Sequence, residues 1–202
     1  MDQTQKTTLE RIHEAAAADF LQRGFRKATQ RDIARAAGVT TGALYGYYDS
    51  KEDLFEALVG EAYDTLMNIC SGSDEDESEV SRPGRIEELE GLCSHRMLEY
   101  VYDHLTAFRL LLLCAEGTRF AGMIDRMVEL GMKGTRRYQQ SLREMGLAGS
   151  HVDPRLEHIL VTGMVNAFFE LVIHEMTPQQ AETYLAQMQA FYRAGWKSIL
   201  GY

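Results

Sequence analysis

Apolar residues recur along this chain at intervals of three and four, the period of helices that bury one face. Thr7, with Glu10 three residues on, has the form of a capping box and opens the first helix. Leu9, Ile12, Ala16, Phe20 and Leu21 make its apolar stripe, Gly24 stops it, and Phe25 is a core anchor in the connection. Thr29 caps a second helix, with Asp32 well placed against its N-terminal dipole. Gly38 ends that helix where the backbone needs positive φ. Thr40 caps a short third helix that runs to about Tyr48. Ser50, with Asp53 behind it, opens a long fourth helix striped by Leu54, Phe55, Leu58, Ala62, Leu66 and Ile69, to about Cys70. The spacing of Ile33, Ala34, Ala37, Val39, Leu44 and Tyr47 predicts a helix-turn-helix: two short helices bury one face each, and the second projects outward.

The acidic stretch 71–82, SGSDEDESEVSR, has almost nothing to bury and reads as a solvated loop. Three helices are expected from Ile86 to about Gly146, with blurred boundaries near 103–108 and 117–122. Leu89, Leu92, Cys93, Met97, Tyr100 and Val101 suggest the face of the first, and Phe108, Leu111, Leu112 and Ala115 that of the second. Met123, Met127, Leu130, Gly131, Tyr138 and Leu142 suggest the third, which ends at the loop GLAGSH. Asp153-Pro154 and Thr177-Pro178-Gln179-Gln180 are capping signals for two last helices. The first of these is apolar around most of its circumference, and the second carries Tyr184, Leu185, Met188, Phe191, Tyr192, Trp196 and Ile199. One neighbouring layer cannot cover that much apolar surface, so the pair is expected to meet a second copy in a four-helix bundle. Leu160, Gly163, Ala167, Leu171, Met188, Phe191 and Gly195 are the expected interface.

Composition agrees with an all-α chain of about nine helices: prolines number three, and Ala, Leu, Glu, Arg, Gln and Met abound. The pattern divides it into residues 1–50, a three-helix head, and 51–202, a larger helical domain. The net charge of −9 belongs to the second part. Residues 1–50 hold seven Lys/Arg against six Asp/Glu, with Arg23, Arg26, Lys27, Arg31 and Arg35 clustered. Binding to random duplex should therefore be modest and depend on geometry. Cys70, Cys93 and Cys114 lack CxxC spacing and read as free thiols. No N-terminal apolar segment resembles a signal peptide, and no apolar run approaches membrane-spanning length, so a soluble cytoplasmic protein is expected.

The segment TQRDIARAAGVTTGALYGYYDSKEDLF, Thr29 to Phe55, resembles the DNA-binding signature of TetR-type transcriptional regulators, and the likeness extends over about Thr7 to Leu58. It implies a homodimeric repressor that binds a double-stranded DNA operator through its head and a small-molecule effector through its helical domain. Matched to that pattern, Thr29 and Arg31 approach DNA from the second helix. Thr40, Thr41, Gly42 and Ala43 form the exposed start of the recognition helix. Tyr45 and Tyr47 reach phosphates or base edges, Lys51 reaches a phosphate, and Leu44 packs. The chain departs from the pattern at Thr41, where many relatives carry lysine, and at Gly46, where they carry histidine or a larger residue. Gly42 and Gly46 each cost a short helix roughly 1 kcal/mol relative to alanine.

Met97, Tyr100, Phe108, Met123, Met127, Tyr138, Phe168 and Phe169 read one by one as helical core. As a group they suit a malleable cavity for an apolar or aromatic effector, with His104, Glu116 and Arg119 as its polar contacts. Two weak clusters, Glu170 with His174 and Glu175, and Cys93, Arg96 and Met97 around His95, make a metal- or thiol-responsive regulator the alternative within the same fold. A helical protein-interaction scaffold is the alternative from another class. No nucleophile motif, phosphate loop or metal–water arrangement points to an enzyme, and no metal site or cofactor is implied.

Overall fold

The computed structural model describes residues 6–71, 94–146 and 152–201. Among these residues lie nine helical segments and no strand. They are α1 (Thr8–Lys27), α2 (Gln30–Ala36), α3 (Thr41–Tyr45), α4 (Lys51–Ser71), α5 (94–103), α6 (Leu105–Leu113), α7 (Met123–Glu144), α8 (Pro154–Ile173) and α9 (Pro178–Leu200). The expected acidic loop beyond Ser71, the positions Leu89, Leu92 and Cys93, and the loop from 147 to 151 lie outside the described residues. Two compact units emerge: Met1–Asp64 with His104–Met123, and Thr65–Asp103 with Ile124–Tyr202.

The first unit takes in more than the expected head of residues 1–50. Ile12, Ala16 and Phe20 of α1, Ile33 of α2, Leu44 of α3, and Leu54 and Phe55 of α4 form its core, with Phe108, Leu110 and Phe120 from the later segment. Phe55 is the hub, with ring centroids 5.1 Å from Phe20, 5.2 Å from Phe25 and 6.1 Å from Phe120. Edge-to-face pairs of this kind add about 0.5–1.5 kcal/mol each beyond area burial. Polar ties join the same parts. The Phe25 N–H donates to the Cys114 carbonyl at 3.2 Å, Arg26 meets Glu116 at 2.9 Å, and Arg119 reaches both carboxylate oxygens of Glu56 at 3.1 and 2.7 Å. That fork holds the Glu56 carboxyl below its ordinary pKa.

Two boundaries differ from expectation. Gly24 does not stop α1: at φ 76° it kinks the helix, which makes one more turn that seats the buried Phe25 before the cap at Ala28. α3 ends at Tyr45 rather than near Tyr48, because Gly46 caps it and the Tyr47 and Tyr48 N–H groups both turn back to the Leu44 carbonyl. Leu9, expected in the α1 stripe, is exposed, and Leu21 is only partly covered.

The second unit buries Leu98 and Val101 of α5, Met127, Val128 and Leu142 of α7, and Val161, Val165, Phe168, Phe169, Leu171 and Val172 of α8. α7 and α8 touch at Gly131, where a Cβ would come 2.9 Å from the Val161 Cγ1 methyl. α8 and α9 are joined by the Tyr184 hydroxyl, which donates to the Ala167 carbonyl at 2.9 Å. α8 is capped by Asp153 with Pro154 behind it, as the sequence predicts. Contrary to expectation, α8 is long and apolar enough to cross a membrane by length and composition alone, with a mean hydropathy of 1.5 over its apolar window. It buries one face inside the unit and carries Glu157, itself buried, beside Gln139 and Arg136.

Candidate nucleic-acid interface

The head's outer surface is built from short-range caps that orient backbone and small side chains. The Thr29 hydroxyl accepts the Asp32 N–H at 3.2 Å and donates to the Asp32 carboxylate at 2.9 Å. That hydroxyl, and then Arg35 and Arg23, hold the Asp32 carboxyl below its ordinary pKa. Thr40 accepts the Ala43 N–H at 3.1 Å and starts α3. Leu44 is fully buried behind that helix, which leaves Gly42, Ala43 and Tyr45 facing outward and Thr41 half-covered. Tyr45 is 50% exposed and Tyr47 49%, large aromatic fractions for positions not covered by the chain itself. A Cβ at Gly42 would meet nothing closer than the Thr40 Oγ1 at 4.0 Å, so no close contact within this chain requires glycine there. At Gly46 it would press on the Ala43 carbonyl at 3.3 Å.

Thr29, Arg31, Thr40, Thr41, Gly42, Ala43, Tyr45 and Tyr47 thus lie on α2, α3 or the turns beside them. Lys51 behaves differently from expectation. Its ammonium points back to α1, donating to the carbonyls of Phe25 at 2.8 Å, Ala28 at 3.1 Å and Arg26 at 3.4 Å, and lies 4.4 Å from the Phe25 ring centroid. All three N–H bonds have acceptors inside the head, so any effect on a phosphate is through charge. Three members of the basic cluster are held in ion pairs within the unit. Arg23 pairs with Asp19 and Asp32, Arg26 with Glu116, and Arg35 with Asp32. Lys27 and Arg31 keep their charges exposed on this side of the unit.

Several contacts were not legible as patterns. The His13 ring nitrogen and the Tyr48 hydroxyl are hydrogen-bonded at 2.5 Å although 35 residues separate them. Tyr48 faces inward, toward α1. Asp19 is buried and paired with Arg23 at 3.1 Å.

The residues expected to line an effector cavity divide between the units. Phe108, Met123, His104, Glu116 and Arg119 belong to the first, and Met97, Tyr100, Met127, Tyr138, Phe168 and Phe169 to the second. Glu116 and Arg119 are exposed ion-pair partners of Arg26 and Glu56 rather than cavity polar groups, because the turn that carries them lies on the head's surface. Tyr100 lines a cleft of about 580 Å³ with Thr65, Asn68, Ile69, Arg96, Glu99 and Asp103. At the expected dimer face, Leu171 is fully buried in its own unit. Gly163 makes room for the Tyr192 hydroxyl, which would stand 3.1 Å from a Cβ there. Ile159 at 64% and Phe191 at 74% are instead the most exposed large apolar side chains. Of the weak ligand clusters, His174 meets Glu170 at 3.0 Å and His95 meets Glu99 at 3.4 Å, and among the described residues no three His, Cys, Asp or Glu side chains converge. The Cys70 thiol contacts the Met97 sulfur at 3.8 Å, and burial pushes the Cys114 thiol up.

Residues 12–58 match the family "Bacterial regulatory proteins, tetR family". The chain is 35% identical over 98 residues to the HTH-type transcriptional regulator TtgR of Pseudomonas putida, a stretch that covers 48% of this chain and 42% of that protein. It is 41% identical over 64 residues to the HTH-type transcriptional repressor KstR2 of Rhodococcus jostii, covering 29% of this chain and 31% of that protein. The chain therefore matches less than half the length of these relatives. Its fold is similar to that of the TetR family transcriptional regulator PfmR from Thermus thermophilus, with a TM-score of 0.60, 22% identity, and 94% of this chain and 95% of that one covered. MexZ, described as a repressor responsible for antibiotic resistance in Pseudomonas aeruginosa, has a TM-score of 0.59 at 21% identity, covering 95% and 94% of the two chains. Residues 12–58, which hold the helix-turn-helix, thus carry the DNA-binding segment of the tetR family of bacterial regulatory proteins, within a chain that is all-helical throughout the described residues.

Proposed function

We propose that this protein is a transcriptional repressor that binds a pseudo-palindromic DNA operator as a homodimer and is released by a small-molecule effector. The observation that carries the reading is α3: a short capped helix, pinned by the buried Leu44, that turns Gly42, Ala43 and Tyr45 outward beside Tyr47. Small residues let the backbone approach a major groove, and phenol rings suit phosphates and thymine methyl groups. Two such helices related by a two-fold axis read half-sites about one helical turn apart. The second copy is supplied through α8 and α9, where Leu156, Ile159 and Phe191 are apolar and uncovered. Leu160, Ala167, Met188 and Gly195 lie on those helices and belong to the same proposed interface.

The effector is of apolar or aromatic character, bound in the helical domain and acting on the head through α4. Support for that class is the apolar interior of the second unit, where Met127 is buried and Phe168 and Phe169 stack edge to face at 5.2 Å. A coupling of about 1–3 kcal/mol between effector and operator is enough to change occupancy five- to 150-fold. Such a protein works in the cytoplasm, on the chromosome.

A binding-site selection from random duplexes with the purified protein tests the reading, and release from the selected site is then tried with a panel of small molecules. Enrichment of a sequence with inverted half-sites is the expected result. If no sequence is enriched, the chain is not an operator-binding repressor. If enrichment occurs but nothing releases the complex, the effector half of the reading fails.

A further inference from the structure

Tyr47 and Tyr48 share one backbone anchor and diverge. Both N–H groups donate to the Leu44 carbonyl, at 3.0 and 3.1 Å, yet Tyr47 projects outward and Tyr48 turns under the head toward α1. There its hydroxyl pairs with the His13 ring nitrogen at 2.5 Å, with the two rings 5.9 Å apart and tilted by 39°. Burial keeps the imidazole below its ordinary pKa and the phenol above its own, so both groups are neutral near pH 7. Which of the two groups donates is set by the imidazole tautomer.

The place where this bond acts is loosely built. α3 has five residues, one of them Gly42, and its cap is Gly46. Glycine does not restrict φ and ψ as other residues do, so the link between Tyr45 and Tyr47 has a backbone freedom that its neighbours lack. Leu44 anchors that segment from behind, and Thr40 from its start. Beyond Gly46 the backbone is held by the Leu44 carbonyl, and the His13–Tyr48 pair adds a side-chain tie from the far side of the glycine to α1.

Resting on the reading of this head as an operator binder, we propose that His13 is a positioning residue for sequence reading. Through Tyr48 it holds the turn after Gly46, and with it the direction of Tyr47. His13 touches no DNA in this scheme. It matters for choosing the operator over other sequences, not for the general attraction to duplex, which depends on charge.

The test compares affinity for the selected operator with affinity for a random duplex of equal length, in wild type, His13→Leu, Tyr48→Phe, the double variant and His13→Gln. Thermal melting by circular dichroism runs alongside. His13→Leu and Tyr48→Phe are each expected to lower the preference for operator about five- to tenfold, the scale of one hydrogen bond. The double variant should lose no more than either single one. His13→Gln, which still hydrogen-bonds a hydroxyl, should recover most of the preference, and affinity for random duplex should stay level throughout. Preference within twofold of wild type in both single variants overturns the proposal, as does a double variant whose loss is the product of the two. If His13→Leu does not fold, Tyr48→Phe, which removes one oxygen, decides alone. Absence of any preference in the wild type would sink the operator-binding reading itself, a result separate from intact wild-type preference that the variants keep.

Discussion

Lys51→Met is expected to unfold the head more readily, and the three acceptors of the ammonium set the size of the effect. The bonds to Phe25 at 2.8 Å and Ala28 at 3.1 Å are of full strength, whereas the 3.4 Å contact with Arg26 is marginal. A hydrogen bond to a charged group contributes about 1.5–3 kcal/mol, less where water competes, and Lys51 is half-buried. Its position over the Phe25 ring adds about 0.5–1 kcal/mol. Methionine keeps the length of the stem and its packing but removes every donor. A loss of about 2–3 kcal/mol is therefore expected, roughly 5–10 °C in melting temperature for a chain of this size. The assay is thermal and urea unfolding monitored by circular dichroism at one fixed protein concentration, since a dimer's stability depends on concentration. The salt dependence of DNA binding is measured beside it. A phosphate contact by Lys51 would lower the slope of log K against log salt by about 1. If Lys51→Met leaves the melting temperature unchanged and lowers that slope, the ammonium is spent on DNA and the carbonyl clamp is not what holds it.

Gly42→Ala should stabilise the head by up to about 1 kcal/mol, because the new methyl has open space around it. If the backbone at Gly42 meets the groove, the same variant loses operator affinity severalfold, and unchanged affinity would refute that approach. Ile159→Glu together with Phe191→Glu should convert the dimer to monomer at micromolar concentration with helical content retained, since each uncovered apolar side chain contributes about 1.5–3 kcal/mol when buried and the two-fold doubles it. Sedimentation that still gives a dimer would move the interface elsewhere. Gly131→Ala should cost about 1–3 kcal/mol, because its methyl would fall 2.9 Å from Val161 on α8. A neutral melting temperature would mean that α7 and α8 separate easily.

What could be read in the residues alone was local. Thr7 with Glu10, and Thr177 with Gln180, close their capping boxes as the spacing predicts. Thr29, Thr40, Ser50 and Asp153 accept the N–H groups expected of them. Gly38 adopts φ of 67°. Each of these interactions is completed within four residues, so the spacing of residue types is enough to specify it. The same locality made the helix-turn-helix, and with it the resemblance to the tetR family, legible from a fraction of the chain.

Tertiary structure decided what each element meets. α8 is apolar around most of its circumference, and hydropathy is equal for a side chain facing its own core and one awaiting a second copy. Only packing separates the buried Leu171 from the exposed Ile159. The charge of Lys51 suggested a phosphate, yet a flexible stem can reach carbonyls that are 23 to 26 positions away in sequence. Glu116 and Arg119 have the chemistry of cavity contacts and the position of surface ion pairs. His13 and Tyr48 carry no motif in common, and their bond exists because α1 and the turn after α3 fold against one another. The sequence by itself determined which segments are helices, how they are capped and which one projects, because those choices rest on contacts along one stretch of backbone. Which faces are covered, which charges are spent internally and which side chains steady the recognition segment depend on partners distant in the chain, and these only the tertiary structure brings together.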